Sequence, residues 1–334
     1  MADAVVDSGA GPTQRGVLTA LRGIARLREL SILVVTVAVA IYFSVTSSAF
    51  NSIDNYHTIV QFFAPWAIVG VGEVMLLICG EIDLSAGFVF TLAPFTLMIF
   101  YNRGAPLLVA ILAAVVISAL IGVVNGFVRT RFNLPSFIVT LGMSFLIEGI
   151  SLLVSNGSPI SAPNTGTIVA VFGKAHWAEL IWVLVIVVVM QTVLSATRFG
   201  IYTQAVGGNP VGAAESGIRT NRVKIVNFAL ASTLAGVGGI VDGLRVGSFD
   251  PTNGGATTMF LAVASAVIGG TALFGGSGTV VGALIGAALL GIVYDGFNLT
   301  GVSANAFDVV LGIAILVAML LNVYLSILRK RASR

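Results

Sequence analysis

Residues 251–294 run for 44 positions without an Asp, Glu, Lys or Arg. No soluble core requires such a stretch. Bilayer hydrocarbon is about 30 Å thick and takes roughly 20 apolar residues per helical crossing. The run therefore holds two crossings, with the glycine-rich segment 269–278 as the turn between them. Across the chain 57% of residues are hydrophobic and 9% are charged, against about 25% charged in a soluble domain. In hydrocarbon the backbone satisfies itself only as helices or as a closed barrel. The apolar runs here are long and continuous rather than alternating, which selects an all-α membrane bundle.

Ten apolar segments are candidate spans: 31–49, 56–79, 86–101, 105–128, 135–155, 178–197, 223–244, 257–274, 279–297 and 305–328. With both termini cytoplasmic, 14 of the 17 basic residues fall on the inner side. Only Arg103, Lys174 and Arg245 fall elsewhere. Inner loops carry such a Lys/Arg excess, so the expected topology is ten helices with both ends inside. Residues 1–30 form a tail whose stretch 17–30 spaces apolar residues and arginines as a helix lying in the headgroup layer. Residues 31–328 are the membrane domain, and 329–334 a basic inner tail. Residues 198–222 are the one sizeable inner connection.

A lone Cys79 excludes an intrachain disulfide and a multi-cysteine metal site. No metal site, catalytic residue or nucleic-acid partner is expected, and His57 and His176 lie far apart in sequence. The pattern G-x-x-x-x-G-K-[ST] is absent, so the chain itself is not expected to hydrolyse ATP. Residues 120–127 and 290–297 echo one another, as Gly122, Asn125 and Gly126 against Gly291, Asp295 and Gly296. Five helices separate them. The echo suggests a 5+5 inverted repeat of the kind that places a transport path at the repeat interface.

Three motifs stand out. Glu81, Asp83 and Ser85 interrupt the apolar pattern between the second and third helices. They form either an acidic helix break near the inner pore mouth, or a loop in which Asp83 and Ser85 cap the next helix. In the inner connection Asn209 suits an N-cap, Pro210 a first helical position and Gly217 a C-terminal stop. The enclosed Val211, Gly212, Ala213, Ala214, Glu215 and Ser216 make a helix of about two turns. It is too short to stand alone, and it needs either a cytoplasmic partner or its own bundle as a surface. Asp250 and Pro251 form an outer turn, followed by the glycine-dense Gly269, Gly270, Phe274, Gly275 and Gly276. Intramembrane charges usually face a cavity or a partner. Glu73 and Glu148 are therefore candidates for a translocation path, with Trp66, Asn125 and Phe127 as further lining candidates. Asp242 and Arg245, three apart, are expected to pair with each other.

These motifs resemble the permease subunits of ribose-type monosaccharide ABC importers. Gly80-Glu81-Ile82-Asp83-Leu84-Ser85 is similar to the family's Gly-Gly-Ile-Asp-Leu-Ser. Pro135-Ser136-Phe137-Ile138-Val139-Thr140-Leu141-Gly142 matches a second family stretch. Residues 207–218 resemble the coupling segment, and Asp250-Pro251 with 268–278 the remaining motifs, in the family's order over about residues 55–325. Departures are Glu81 for the commoner Gly, Ala272 for Ser, and an additional acid at Glu73. The resemblance implies a permease of a bacterial cytoplasmic membrane that works with a second permease copy, identical or not. Two ATPase subunits or one fused tandem ATPase would bind ATP and Mg, and an extracytoplasmic sugar-binding protein would deliver the substrate. Residues Asn209 to Gly217 would seat in the ATPase. Nucleosides, branched-chain amino acids or signalling furanoses are alternative cargoes, and a proton-coupled secondary transporter is the reading outside this class.

Overall fold

The computed structural model describes residues 28–303, 306–318 and 320. The helices are α1 (Arg28–Thr46), α2 (Ile53–Ile78), α3 (Ala86–Tyr101), α4 (Leu107–Phe132), α5 (Ser136–Ser155) and α6 (Ala178–Ala196). They continue as α7 (Arg198–Gly208), α8 (Pro210–Glu215), α9 (Thr220–Val246), α10 (Gly255–Ile268) and α11 (Val280–Thr300). Last comes α12 (Ala306–Ala318). Most of the expected headgroup-layer helix, and the basic tail from 329, lie outside the described residues.

Among the described residues seven helices are long and apolar enough to cross a membrane, and α3, α10 and α12 are shorter apolar helices. Each of the ten candidate segments holds one of these ten. The boundaries differ where local chemistry intervenes. The eighth segment stops being helical at Ile268 rather than at 274, because Gly270 turns left-handed with φ +92°. The fourth runs on to Phe132, where Asn133 at φ +53° ends it. Among the described residues the two non-glycine residues with positive φ, Asn133 and Asn156, both terminate helices. Asparagine tolerates that conformation better than other side chains. At the opposite ends, Ser52 and Thr279 cap α2 and α11 by accepting from the N–H groups of Asn55 and Gly282.

The core is built on α2 and α9. Both are apolar over most of their circumference, and α2 is buried along nearly its whole length from Ile59. A helix apolar all round belongs inside a bundle. α9 packs on α2, α3 and α4, while α2 packs on α9, α10 and α11. These contacts are exchanged when α2 is swapped with α9, α3 with α10 and α4 with α11. The α3–α4 contact likewise has its counterpart in α10–α11.

Glycine permits the closest of these approaches. A Cβ at Gly122 of α4 would lie 2.7 Å from the carbonyl carbon of Phe228 and 2.8 Å from the Cα of Ala229, both on α9. Real atoms do not approach that closely. By contrast Gly142 and Gly149 of α5 have nothing within 4 Å of such an atom.

At one end of the bundle a two-residue antiparallel ribbon pairs Ile160 with Phe249 and Ser161 with Ser248. It ties the 156–177 connection to the turn after α9. His57 and His176 stack at this end with centroids 4.1 Å apart. Replacing Gly122 by Leu is expected to destabilise the protein by about 2 kcal/mol or more through overpacking. A fall in the midpoint of thermal unfolding in detergent measures it.

Candidate functional site

In the loop 79–85 the N–H groups of Cys79, Gly80 and Glu81 still return to carbonyls of α2, but from Ile82 onward side chains from three other helices supply partners. Ser136 of α5 accepts from the Ile82 N–H at 3.3 Å, and Thr140 accepts from the Leu84 N–H at 3.0 Å. Asp83 is fully buried. It accepts from the Ser85 N–H at 2.8 Å and from the Ser85 hydroxyl at 2.5 Å. It also accepts from Ser232 of α9 at 3.3 Å and from the Asn125 amide of α4 at 3.4 Å. Ser85 is the residue before α3, but its hydroxyl caps no N–H there. It turns to Asp83 instead.

Glu81 is the electrostatic pin of this junction. Arg129 Nε of α4 lies 2.7 Å and Lys224 Nζ of α9 2.6 Å from the same carboxylate oxygen of a side chain that is 2% exposed. Sequence separations of 48 and 143 residues hide this convergence from any local pattern. Glu73, on α2, is fully buried beside it, with Oε2 3.5 Å from the Asp83 N–H.

Immediately adjacent, three turns meet backbone to backbone. The Gly276 N–H donates to the Ile78 carbonyl at 2.8 Å. Gly275 and Gly276, at φ +86° and +81°, lie against Gly207 and Gly208, the last residues of α7. No side chain fits between Gly207 and the Ile78 carbonyl. The next residue, Asn209, accepts from the Gly212 N–H at 2.9 Å and so caps α8, with Pro210 in its first turn and Gly217 at φ +82° beyond it. That arrangement is the one the residue types predict. On α8, Val211, Ala214 and Glu215 are exposed and Ala213 is buried. Val211 is 67% exposed, and Phe274, at the tip of the glycine turn, is 83% exposed.

The remaining candidates scatter. Trp66 is half-buried and packs edge-on to Tyr294, 6.0 Å between centroids, within an aromatic group that includes Phe62 and Phe307. Asn125 is fully buried and bonded into the loop junction. Phe127 is exposed on α4. Glu148 is exposed part-way along α5, on the side that also leaves Phe145, Leu146 and Leu152 uncovered. Gly269 and Gly270 close the end of α10, and Asp250 accepts from the N–H and hydroxyl of Thr252 to hold the turn containing Pro251.

At the other end of the bundle Arg245 pairs with Asp242 at 2.6 Å, as their spacing predicts, and also with Glu179 of α6 at 2.5 Å. The second partner and the histidine stack were not legible from spacing. Each joins residues more than 60 positions apart.

Comparison with known proteins places this geometry. Residues 55–319 match the family described as branched-chain amino acid transport system / permease component. The chain belongs to this permease family. It is 37% identical over 320 residues to the xylose/arabinose import permease protein XylH of Sulfolobus acidocaldarius, covering 93% of this chain and 88% of that protein. The ribose import permease protein RbsC of Escherichia coli is 34% identical over 302 residues, 89% of this chain and 94% of the relative. Its namesake in Bacillus subtilis is 32% identical over 283 residues, 84% and 88% respectively. No solved structure matches the permease.

Glu81→Gln would leave Arg129 and Lys224 facing a neutral amide. Removing one member of such a buried pair costs about 3–5 kcal/mol, and a fall in thermal midpoint of the purified permease measures it. Replacing Glu81, Arg129 and Lys224 together by Leu, Leu and Met is expected to recover most of that loss.

Proposed function

We propose that this chain is the membrane-spanning subunit of an ATP-driven importer for monosaccharides of the ribose and xylose class. The observation that carries this reading is similarity over about nine-tenths of the chain to permeases named for xylose, arabinose and ribose import. The chemistry is alternating access rather than covalent catalysis. ATP and magnesium belong to partner subunits, and an extracytoplasmic binding protein supplies the sugar.

The helix α8 is the coupling element. Its outward side and the neighbouring Phe274 give an apolar docking surface with Glu215 at its edge, and Asn209 and Gly217 fix its two ends. Behind it the Gly207–Ile78–Gly276 contact carries displacement to α2 and to the turn between α10 and α11.

Ten spans with both termini cytoplasmic fit the contacts. Residues assigned to the inner side by charge, Arg129 and Lys224, converge on one carboxylate, where 79–85, 207–208 and 275–276 also meet. Connections assigned outside, 156–177 and 247–254, pair with each other through the ribbon. The swap of α2–α3–α4 with α9–α10–α11 supports the 5+5 inverted repeat.

Glu148 locates the path. A carboxylate facing lipid part-way along a span is costly, so such groups face protein or water. The exposed α5 side is therefore covered by a second permease copy, and sugar passes along that seam. Phe127 on the neighbouring α4 is the aromatic candidate beside it, Trp66 packs instead against Tyr294, and Asn125 and Glu73 act through the inner junction. The assembly sits in a bacterial cytoplasmic membrane.

Proteoliposomes containing the permease alone are expected to take up no ribose or xylose. Adding the ATPase subunits, the binding protein and ATP restores uptake of at least one pentose. Uptake by the isolated chain under a pH gradient would overturn the importer reading. The pair Val211→Glu with Glu215→Arg changes exposed positions and spares the Asn209 cap. It is expected to reduce co-purification of the ATPase by about tenfold, a 1.4 kcal/mol loss.

Orientation has its own check. In a Cys79→Ser background, a cysteine at Val171 reacts with an impermeant maleimide from the outside only, and one at Val211 from the cytoplasmic side only.

A further inference from the structure

The inner junction gathers three carboxylates, Glu73, Glu81 and Asp83, around two bases. Both bases are taken by Glu81, through Arg129 at 2.7 Å and Lys224 at 2.6 Å. Among the described residues no cation lies within ion-pair distance of Glu73 or Asp83. Both are 0% exposed. They are immediate neighbours, since the Asp83 N–H stands 3.5 Å from Glu73 Oε2.

Hydroxyl and amide donors cover Asp83, from Ser85, Ser232 and Asn125. Glu73 has no such shell. Its Oε1 is buried without a partner, and so is Oδ1 of Asn125, whose amide nitrogen donates to Ser85 at 2.9 Å in the same cluster. Two bare acceptors, one of them neutral and therefore independent of the acid pair, thus occur around one uncompensated charge. Buried polar atoms are rarely left so. Two ionised carboxylates on such close neighbours repel strongly at low dielectric. The titratable groups around the pair are Glu81 and Cys79 from the same chain break, Arg129 from α4 and Lys224 from α9. The bases already serve Glu81.

The geometry points to a binding site for one small monovalent cation, a proton or an alkali ion, between Glu73 and Asp83 with the Asn125 carbonyl as a neutral ligand. A proton would sit on the bare Glu73 oxygen. An alkali ion would use oxygens from Glu73, Asp83, Asn125 and Ser232. In both cases the occupant fastens the 79–85 loop to α2, and the site's affinity depends on how closely those two segments are held. The inference uses the buried cluster alone and does not depend on what the permease carries.

The test is thermal unfolding of the full-length chain in nanodiscs. Sodium, potassium and choline chlorides are compared at equal ionic strength, and the choline series is repeated from about pH 5.5 to about pH 8.5. A midpoint higher by about 3 °C in sodium or potassium than in choline identifies an alkali ion. A midpoint that rises only with acidity, in choline as in sodium, identifies a proton, since a ligand of the folded state stabilises where it is abundant. Glu73→Gln, which removes the charge and keeps the shape, is expected to abolish whichever response the wild type shows. Glu73→Asp is expected to keep it.

A wild type insensitive to both variables, or a Glu73→Gln protein as responsive as wild type, overturns the proposal. Should Glu73→Gln fail to fold, the infrared difference spectrum of the wild type across the same conditions decides. Absence of any carboxyl or carboxylate band change attributable to a buried acid overturns the site.

Discussion

Hydrocarbon offers no hydrogen bonds, so wherever this chain leaves helical geometry inside the bundle its backbone must find partners within the protein. Two such places dominate, the break at 79–85 and the glycine turn at 269–279. The first is satisfied by hydroxyls of α5, by Glu73 of α2 and by its own turn, and the second by the backbone of α2 and by its own turns. Because both breaks draw on α2, they lie together with the end of α7. The position of α8 follows from that meeting.

The two ends of the bundle use charge differently. At the end that holds the 79–85 loop one carboxylate collects two bases, and Glu81 thereby fastens α4 and α9 to the loop after α2. At the other end one guanidinium collects two carboxylates, and Arg245 fastens α6 to α9. Glu81 is where this chain departs from the glycine usual in the motif it resembles. An acid there is sustained by the two bases that approach it. Glu73, the other acidic departure, has no such support, and this difference singles it out.

Much of the fold was legible from the sequence because the bilayer reduces helix finding to length and polarity. All ten candidate segments contain helix, and Asn209, Pro210 and Gly217 announced α8 through local capping chemistry. What stayed hidden depended on distance. Glu81 meets Lys224 across 143 residues, and the stacking of His57 on His176 joins α2 to the turn before α6. Exposure was equally silent. Glu148 and Asn125 read alike as polar groups in apolar runs, yet one is uncovered and the other sealed in the junction. Periodicity identifies a helix, while which side of it faces a neighbour is settled by packing.

The backbone contact between Gly207 and Ile78 carries a mechanical implication. Side chains are springs, since a methionine or lysine between two helices absorbs small displacements by changing rotamer. Here nothing compressible intervenes, so a push on Pro210 reaches the end of α2 with no slack. A linkage of that stiffness has a short stroke and little lost motion, which would suit the importer proposed above, where a small movement at α8 must be felt tens of ångströms away along α2.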